Sequence, residues 1–313
     1  MKRLFFIAAL CIFSQSCSID NNLNPPCSEP GGWGYATIVS PENKPYRNAP
    51  SSNPLNFYEF AYIALDNGIE GYWKYDLLSN TKKLIKEIDA DEPLDWNIKD
   101  WIVFGSNAQI YICKSNGDSL MQLTFENYNY DPSWSPDGEY IIFKSTVSNF
   151  RVINRLGHHF KDYNSTIYAG NSSSWSPDGE KIAFISTSNE FNKSLIAYFE
   201  ISTPEDIHYI NGTDIKFNGS ALLGPLDWYP DSKRLLYNYN NDIYLANIET
   251  GDIQLVKEGV DCISYNYHTI LTDGETIISV KQESSYDSKT NTEFHDYDLI
   301  QINPDGSVFT LPY

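Results

Sequence analysis

Asp131-Pro132-Ser133-Trp134-Ser135-Pro136-Asp137-Gly138-Glu139-Tyr140-Ile141-Ile142-Phe143 returns, with its tryptophan 41 residues further on, as Ser173-Ser174-Trp175-Ser176-Pro177-Asp178-Gly179-Glu180-Lys181-Ile182-Ala183-Phe184. Each copy joins a tryptophan, a turn and an apolar run. Pro136 and Pro177 preset φ near −65°, Asp137 and Asp178 bond the backbone ahead of them, and Gly138 and Gly179 take positive φ. The apolar run of about four to six residues that follows is the length of a strand. Trp134 and Trp175, repeated at one phase, read as core anchors. Weaker copies lie on either side. Downstream, Pro225-Leu226-Asp227-Trp228-Tyr229-Pro230-Asp231-Ser232 keeps the tryptophan, and Thr272-Asp273-Gly274-Glu275 keeps only the turn. Upstream, Pro93-Leu94-Asp95-Trp96 leads into Asp100-Trp101-Ile102-Val103-Phe104 with the turn eroded.

A second hairpin accompanies each copy. Ile110-Tyr111-Ile112-Cys113 turns through Asn116-Gly117 into Leu120-Met121-Gln122-Leu123, and Ile243-Tyr244-Leu245-Ala246 turns through Thr250-Gly251 into Ile253-Gln254-Leu255-Val256. The same shape begins at Gly71 and Leu299, and looser versions begin near Phe150 and Leu195. Two hairpins in a period of about 40–50 residues form a four-stranded propeller blade, which cannot bury both faces unless it stacks on others. The expectation is therefore all-β: a six-bladed β-propeller of four-stranded antiparallel blades, occupying residues 35–313 as one domain. Tyr35-Ala36-Thr37-Ile38-Val39 is expected to supply a strand that closes the last blade against the first. A β-sandwich would not explain a tryptophan and turn repeated at fixed phase.

Composition agrees with a large all-β unit. The 313 residues are 41% hydrophobic and 15% aromatic, with 23 tyrosines against 2 methionines, a bias that suits strands. Acids outnumber Lys and Arg by 41 to 22, for a net charge of −19. So negative a chain does not wrap nucleic acid or lie electrostatically on an anionic membrane, because both need a basic face.

The N-terminus reads as an address. Met1-Lys2-Arg3 precedes the apolar run Leu4-Phe5-Phe6-Ile7-Ala8-Ala9-Leu10-Cys11-Ile12-Phe13, too short for a permanent span of roughly 20 residues. Ser14-Gln15-Ser16-Cys17 then resembles the lipobox of bacterial lipoproteins, departing from it in having Ser14 where a leucine is usual. That resemblance implies a signal peptide over residues 1–16, a lipidated Cys17 and a polar tether over residues 17–34. No aspartate follows Cys17 directly, which in such lipoproteins implies an outer-membrane address; an ordinary cleaved signal and a soluble periplasmic protein is the alternative. Of the remaining cysteines, Cys27, Cys113 and Cys262 have no C-x-x-C spacing; an oxidising compartment permits one bridged pair among them, and the expectation is buried unpaired thiols.

The repeat itself resembles a family. Trp-Ser-Pro-Asp-Gly-x-x-Ile-x-Phe followed by Ile-Tyr and a later glycine is similar to the WD-like repeats of the TolB β-propeller, and resembles the propeller domains of the dipeptidyl-peptidase IV and prolyl oligopeptidase group. The likeness spans roughly residues 56–313. It implies that Trp96, Trp134, Pro136, Asp137, Gly138, Trp175, Pro177, Asp178, Gly179 and Trp228 mark the fold and carry no chemistry.

Catalytic patterns are sparse. The peptidases pair their propeller with a hydrolase domain bearing Gly-x-Ser-x-Gly; Gly170-Asn171-Ser172-Ser173-Ser174 lacks the second glycine, and the six hairpins take the sequence to Tyr313. His158-His159 reads as a solvated turn, and His208, His268 and His295 stand alone. His295-Asp296-Tyr297-Asp298 is a weak cation candidate beside a polar insertion over residues 282–294. No phosphate loop or dinucleotide fingerprint is present, so no cofactor and no metal are expected. Asp95 and Asp227, each preceding a blade tryptophan, and Asp131 and Asp261, just ahead of their blades, are the candidates for a channel rim that binds a ligand. They suit a non-catalytic, lipid-anchored envelope propeller whose partner is another envelope protein. The alternative is a glycan-active or glycan-binding propeller using the same acids.

Overall fold

The computed structural model describes residues 37–39, 50–88, 93–163, 172–188, 193–210, 215–216, 223–239, 241–260, 262–287 and 292–312. The leader, Cys17, the tether and Asp261 lie outside them.

Among the described residues the structure is all-β, with 26 strands and no helix. A short strand, β1 (Thr37–Val39), precedes the blades. Blade 1 is β2 (Ser51–Ser52), β3 (Glu59–Asp66), β4 (Ile69–Asp76) and β5 (Thr81–Glu87). Blade 2 is β6 (Leu94–Trp96), β7 (Trp101–Ser106), β8 (Gln109–Lys114) and β9 (Met121–Gln122). Blade 3 is β10 (Asn129–Trp134), β11 (Tyr140–Ser145), β12 (Ser148–Asn154) and β13 (His159–Tyr163). Blade 4 is β14 (Ser174–Trp175), β15 (Lys181–Ser188), β16 (Lys193–Glu200) and β17 (Thr203–Tyr209), with β18 (Ile215–Lys216) added on β16. Blade 5 is β19 (Leu223–Trp228), β20 (Arg234–Tyr239), β21 (Asp242–Asn247) and β22 (Ile253–Lys257). Blade 6 is β23 (Ile263–Ile270), β24 (Ile277–Asp287), β25 (Thr292–Ile302) and β26 (Val308–Thr310). Within each blade consecutive strands pair antiparallel in chain order, inner to outer. The inner strands β2, β6, β10, β14, β19 and β23 touch one another in turn around the ring.

The core is divided into six layers, one between each pair of neighbouring blades. Between blades 2 and 3, for example, Val103, Ile110 and Ile112 meet Trp134, Ile141 and Phe143. Trp96, Trp134 and Trp228 are each 4% exposed, whereas Trp175 is only half-buried against Phe184 and Phe199. Burying apolar area in such layers, at roughly 25 cal/mol per Å², is what binds a blade to its neighbour.

The repeated turns lie at one end of the ring, between first and second strands. In blade 3, Ser135 Oγ donates to Asp137 Oδ1 (2.6 Å) and accepts from Tyr140 N, and Gly138 has φ +67°. Blade 4 repeats this with Ser176, Asp178 and Lys181. The eroded copies keep the geometry with other residues. In blade 2, Asn97 Oδ1 accepts from Lys99 N and Trp101 N, and Asp100 takes φ +61°. In blade 5, Asp231 Oδ1 accepts from Lys233 N and Arg234 N, and Ser232 takes φ +56°.

One expectation gains detail and one is corrected. The strand β1 joins the last blade, where it lies parallel to β25 (Thr37 beside Thr292, Val39 beside Phe294). Residues 282–294 are not simply an insertion before a strand, because β24 and β25 are each 11 residues long and pair throughout as one tall hairpin. There Gln282 Nε2 and His295 Nδ1 lie 2.8 Å apart. Among the described residues no group of three or more His, Cys, Asp or Glu converges as a metal site.

Candidate functional site

Six equivalent positions ring the channel on the inner strands, because each pairs with the same point of its second strand: Ser51 with Ala61, Asp95 with Val103, Ser133 with Ile142, Ser174 with Ala183, Asp227 with Leu236 and Thr269 with Ile278. All six carry a hydroxyl or a carboxylate. The two aspartates stand three blades apart, on opposite sides of the ring.

The acids bind neighbouring blades. Asp95 Oδ2 accepts from Trp134 N (2.7 Å) and Ser133 Oγ (3.2 Å) of blade 3, and Asp95 Oδ1 accepts from Ser51 Oγ of blade 1 (3.4 Å). Asp227 Oδ2 accepts from Ile270 N (2.7 Å) and Thr269 Oγ1 (2.9 Å) of blade 6. Trp96 N donates to Ser51 Oγ (3.1 Å) and Ser52 N to Thr269 Oγ1 (3.3 Å), so blade 1 is tied on both sides. Asp131, at φ +50° in a bulge of β10, accepts from Ser172 N (3.1 Å) at the entry to blade 4. Each described acidic candidate thus reaches the following blade.

Burial raises the pKa of Asp95 above the usual carboxylate range. It raises that of Asp227 to about 6, with the negative charge of Asp95 adding to the effect and the bond from Ile270 N opposing it. Both side chains keep a partly exposed surface.

A buried histidine was not singled out by its sequence context. His268 follows Tyr267 (φ +48°) in a bulge of β23, is 1% exposed, and has Nδ1 2.6 Å from Asn238 Oδ1 of blade 5. Burial pushes its pKa down to about 4, which keeps it neutral. Cys113 is a buried free thiol, as expected, with its pKa pushed up to about 12 by burial. Cys262 departs from expectation because it is disulfide-bonded.

At the end of the ring opposite the repeated turns, the loop from β9 to β10 presents Phe125 (74% exposed) and Tyr128 (61%), beside Val147 (53%) on the hairpin of blade 3. The loop is braced. Asn129 Nδ2 donates to Glu126 O (2.9 Å), Gln109 Nε2 donates to Asn127 O (2.7 Å), Tyr128 N donates to Thr146 Oγ1 (3.3 Å), and Tyr128 O accepts from Thr146 N (3.0 Å). The Tyr128 and Tyr130 rings lie nearly parallel, with centroids 6.4 Å apart. Sequence reading missed this patch because Phe125-Glu126-Asn127-Tyr128 lies between repeat units and has no periodic counterpart.

No protein-family model matches the sequence, and no curated protein is detectably similar to it. Solved structures carry the likeness. A protein assigned as TolB from Agrobacterium tumefaciens superposes with a TM-score of 0.60 at 14% identity, over 76% of this chain and 86% of its own. TolB from Acinetobacter baumannii gives 0.55 at 14% identity, over 86% and 67%. Oligogalacturonate lyase from Vibrio parahaemolyticus gives 0.51 at 10% identity, over 82% and 77%. At these identities the likeness is one of fold, and the fold is the TolB-like six-bladed propeller.

Proposed function

We propose that this chain is a non-catalytic, lipid-anchored propeller of the bacterial cell envelope that binds another envelope protein at the loop-bearing mouth of its channel. The observation that carries the reading is the aromatic patch of Phe125 and Tyr128 held out on a braced loop. Exposed aromatic anchors on a rigid frame are what binding hot spots are made of, since little entropy is lost on contact. The inner-strand acids Asp95, Asp131 and Asp227 supply carboxylates that suit a partner segment carrying Lys or Arg, and Asp261, outside the described residues, is proposed as a fourth. The proposed chain organisation is a leader over residues 1–16, lipid on Cys17, a tether to residue 34 and the propeller beyond, at the outer membrane.

The glycan-active reading draws on the lyase neighbour and on the near-parallel rings of Tyr128 and Tyr130, a surface on which a sugar ring can stack. One experiment separates the two. A C-terminally tagged copy is crosslinked in intact envelopes, and the attached species are identified by mass spectrometry. The protein-binding reading expects one dominant protein partner, lost in Phe125→Ala/Tyr128→Ala. Glycan fragments, or no stoichiometric protein, would replace it with the glycan reading.

A further inference from the structure

Alternate strands of a blade run in opposite directions, so the turn from its third to its fourth strand lies at the same end of the ring as the turn from its first to its second. All twelve of these turns, two in each of six blades, lie among the described residues. They divide into two halves. In blades 1–3, five of the six expose a large aliphatic side chain: Leu55 (60%), Leu78 (67%), Ile98 (48%), Leu120 (40%) and Leu156 (61%). In blades 4–6, five of the six carry an exposed acid instead, at Asp178, Asp231, Glu249, Asp273 and Asp305, and none exposes a large apolar side chain. The two turns of blade 1 carry no charged residue.

The aliphatic half is held rigidly. Leu55 N, Leu78 N and Leu156 N each donate to the side-chain oxygen of the residue two positions earlier, Asn53 (2.9 Å), Asp76 (2.8 Å) and Asn154 (3.0 Å). The two turns of a blade are also tied to each other. Leu77 N donates to Tyr58 O (2.8 Å) in blade 1, Lys114 Nζ to Lys99 O (2.8 Å) in blade 2, and Arg155 N to Glu139 O (3.1 Å) in blade 3. An ion pair between Lys99 and Glu139 joins blades 2 and 3 at this level.

We propose that the turn end of blades 1–3 seats on the surface of a lipid bilayer, with the aliphatic tips immersed at the boundary of headgroups and acyl chains. The tips are separate points: Ile98 stands between Asn97 and Lys99, Leu120 follows Ser119, and Leu156 lies between Arg155 and Gly157. A protein partner has to supply a pocket for each, and protein hot spots are built from Trp, Tyr and Arg, with Leu under-represented. A fluid bilayer closes around any set of points and gains from every aliphatic chain it covers. Charge selects the kind of bilayer. The acids of blades 4–6 and the net charge of −19 oppose an anionic surface, while the weakly charged turns of blades 1–3 suit zwitterionic headgroups. Lys83, exposed at the start of β5, has an apolar stem that follows the tips inward while its ammonium stays at the headgroups. The ring is then tilted, with blades 4–6 lifted away from the bilayer. Its opposite end, bearing Phe125 and Tyr128, faces away from the lipid. This seating does not depend on a lipid at Cys17, which label incorporation tests separately.

Two reporter variants test it. Leu78→Trp places an indole on a tip, and Leu255→Trp places one on the outer strand of blade 5, 46% exposed and away from the aliphatic half. The purified protein is mixed with phosphatidylcholine vesicles whose acyl chains carry bromine, which quenches indole only inside the bilayer. The added emission of Leu78→Trp is expected to shift to the blue and fall about twofold, with that of Leu255→Trp unchanged. Leu120→Ser and Leu156→Ser, introduced together into the Leu78→Trp chain, should restore most of the emission. Replacing part of the phosphatidylcholine by anionic phosphatidylglycerol should weaken the quenching, and added salt should recover it. Absence of quenching at Leu78→Trp, or equal quenching of both reporters, overturns the proposal. So does stronger quenching with the anionic lipid, or a dimer in solution that is lost in Leu120→Ser/Leu156→Ser, which would give the tips to a second copy of the chain.

Discussion

Asp227 shows how one carboxylate is decided by its surroundings. Its sequence context, just before Trp228, is that of Asp95, and both accept from a hydroxyl and a backbone N–H of the next blade. Burial raises the Asp227 pKa to about 6 from the usual 3.8. The folded state then holds this proton more tightly than the unfolded chain. Its contribution is therefore fully present below about pH 4 and is lost as pH rises through 6. Asp227→Asn keeps an acceptor for Thr269 and Ile270 and removes the buried charge. Relative to wild type it should gain about 2 kcal/mol of stability between pH 4 and pH 7, read from urea midpoints at the two values. No change in the difference between the proteins would show that the carboxylate is not perturbed. His268 has the opposite sign: with its pKa depressed to about 4 against an ordinary 6.5, its contribution is present above pH 6.5 and is lost as pH falls toward 4. Trp134, 4% exposed between blades 2 and 3, should cost about 3–5 kcal/mol when replaced by alanine. The half-buried Trp175 should cost less, and equal effects in thermal melts would contradict the difference in burial.

At the scale of the element, the turn is the unit that repeats and the unit that tolerates rewriting. Ser-Pro-Asp-Gly, Asn97 with Asp100, and Asp231 with Ser232 share one backbone path, because each supplies an acceptor for the N–H groups ahead and one residue at positive φ. The turns also touch around the rim. A Cβ on Gly138 would lie 2.8 Å from Asn97 Nδ2 of blade 2, and one on Gly274 would lie 3.3 Å from Pro230 of blade 5. Gly138→Ala should therefore destabilise by roughly 2 kcal/mol, strain and crowding together. Gly251→Ala, at φ +75° with open space around it, should cost only about 1 kcal/mol. Equal losses in chemical denaturation would show that the turns do not pack on one another.

At the scale of the molecule, the charge of −19 and the aromatic patch are the two features on which the proposed protein partner rests. Its address is tested separately. Cys17→Ser should abolish incorporation of labelled palmitate and release the protein from membranes, and label retained in that variant would refute the lipid anchor.

The sequence by itself determined the six-bladed architecture. Turn chemistry and strand periodicity are local: Pro136, Asp137 and Gly138 bend the backbone wherever they occur, and Ile141-Ile142-Phe143 extends wherever a neighbour covers it. The tertiary structure alone decided which acids face the ring, that Ser51, Ser133, Ser174 and Thr269 share their level, that His268 is buried, and that β1 lies parallel on blade 6. Those properties depend on contacts between residues tens to hundreds of positions apart. Ser51-Ser52 and Thr37-Ile38-Val39 have no strand signal strong enough to declare their partners. A two- or three-residue strand is stable only where a neighbouring sheet edge offers its hydrogen bonds, and that edge exists only once the longer strands of its blade have paired.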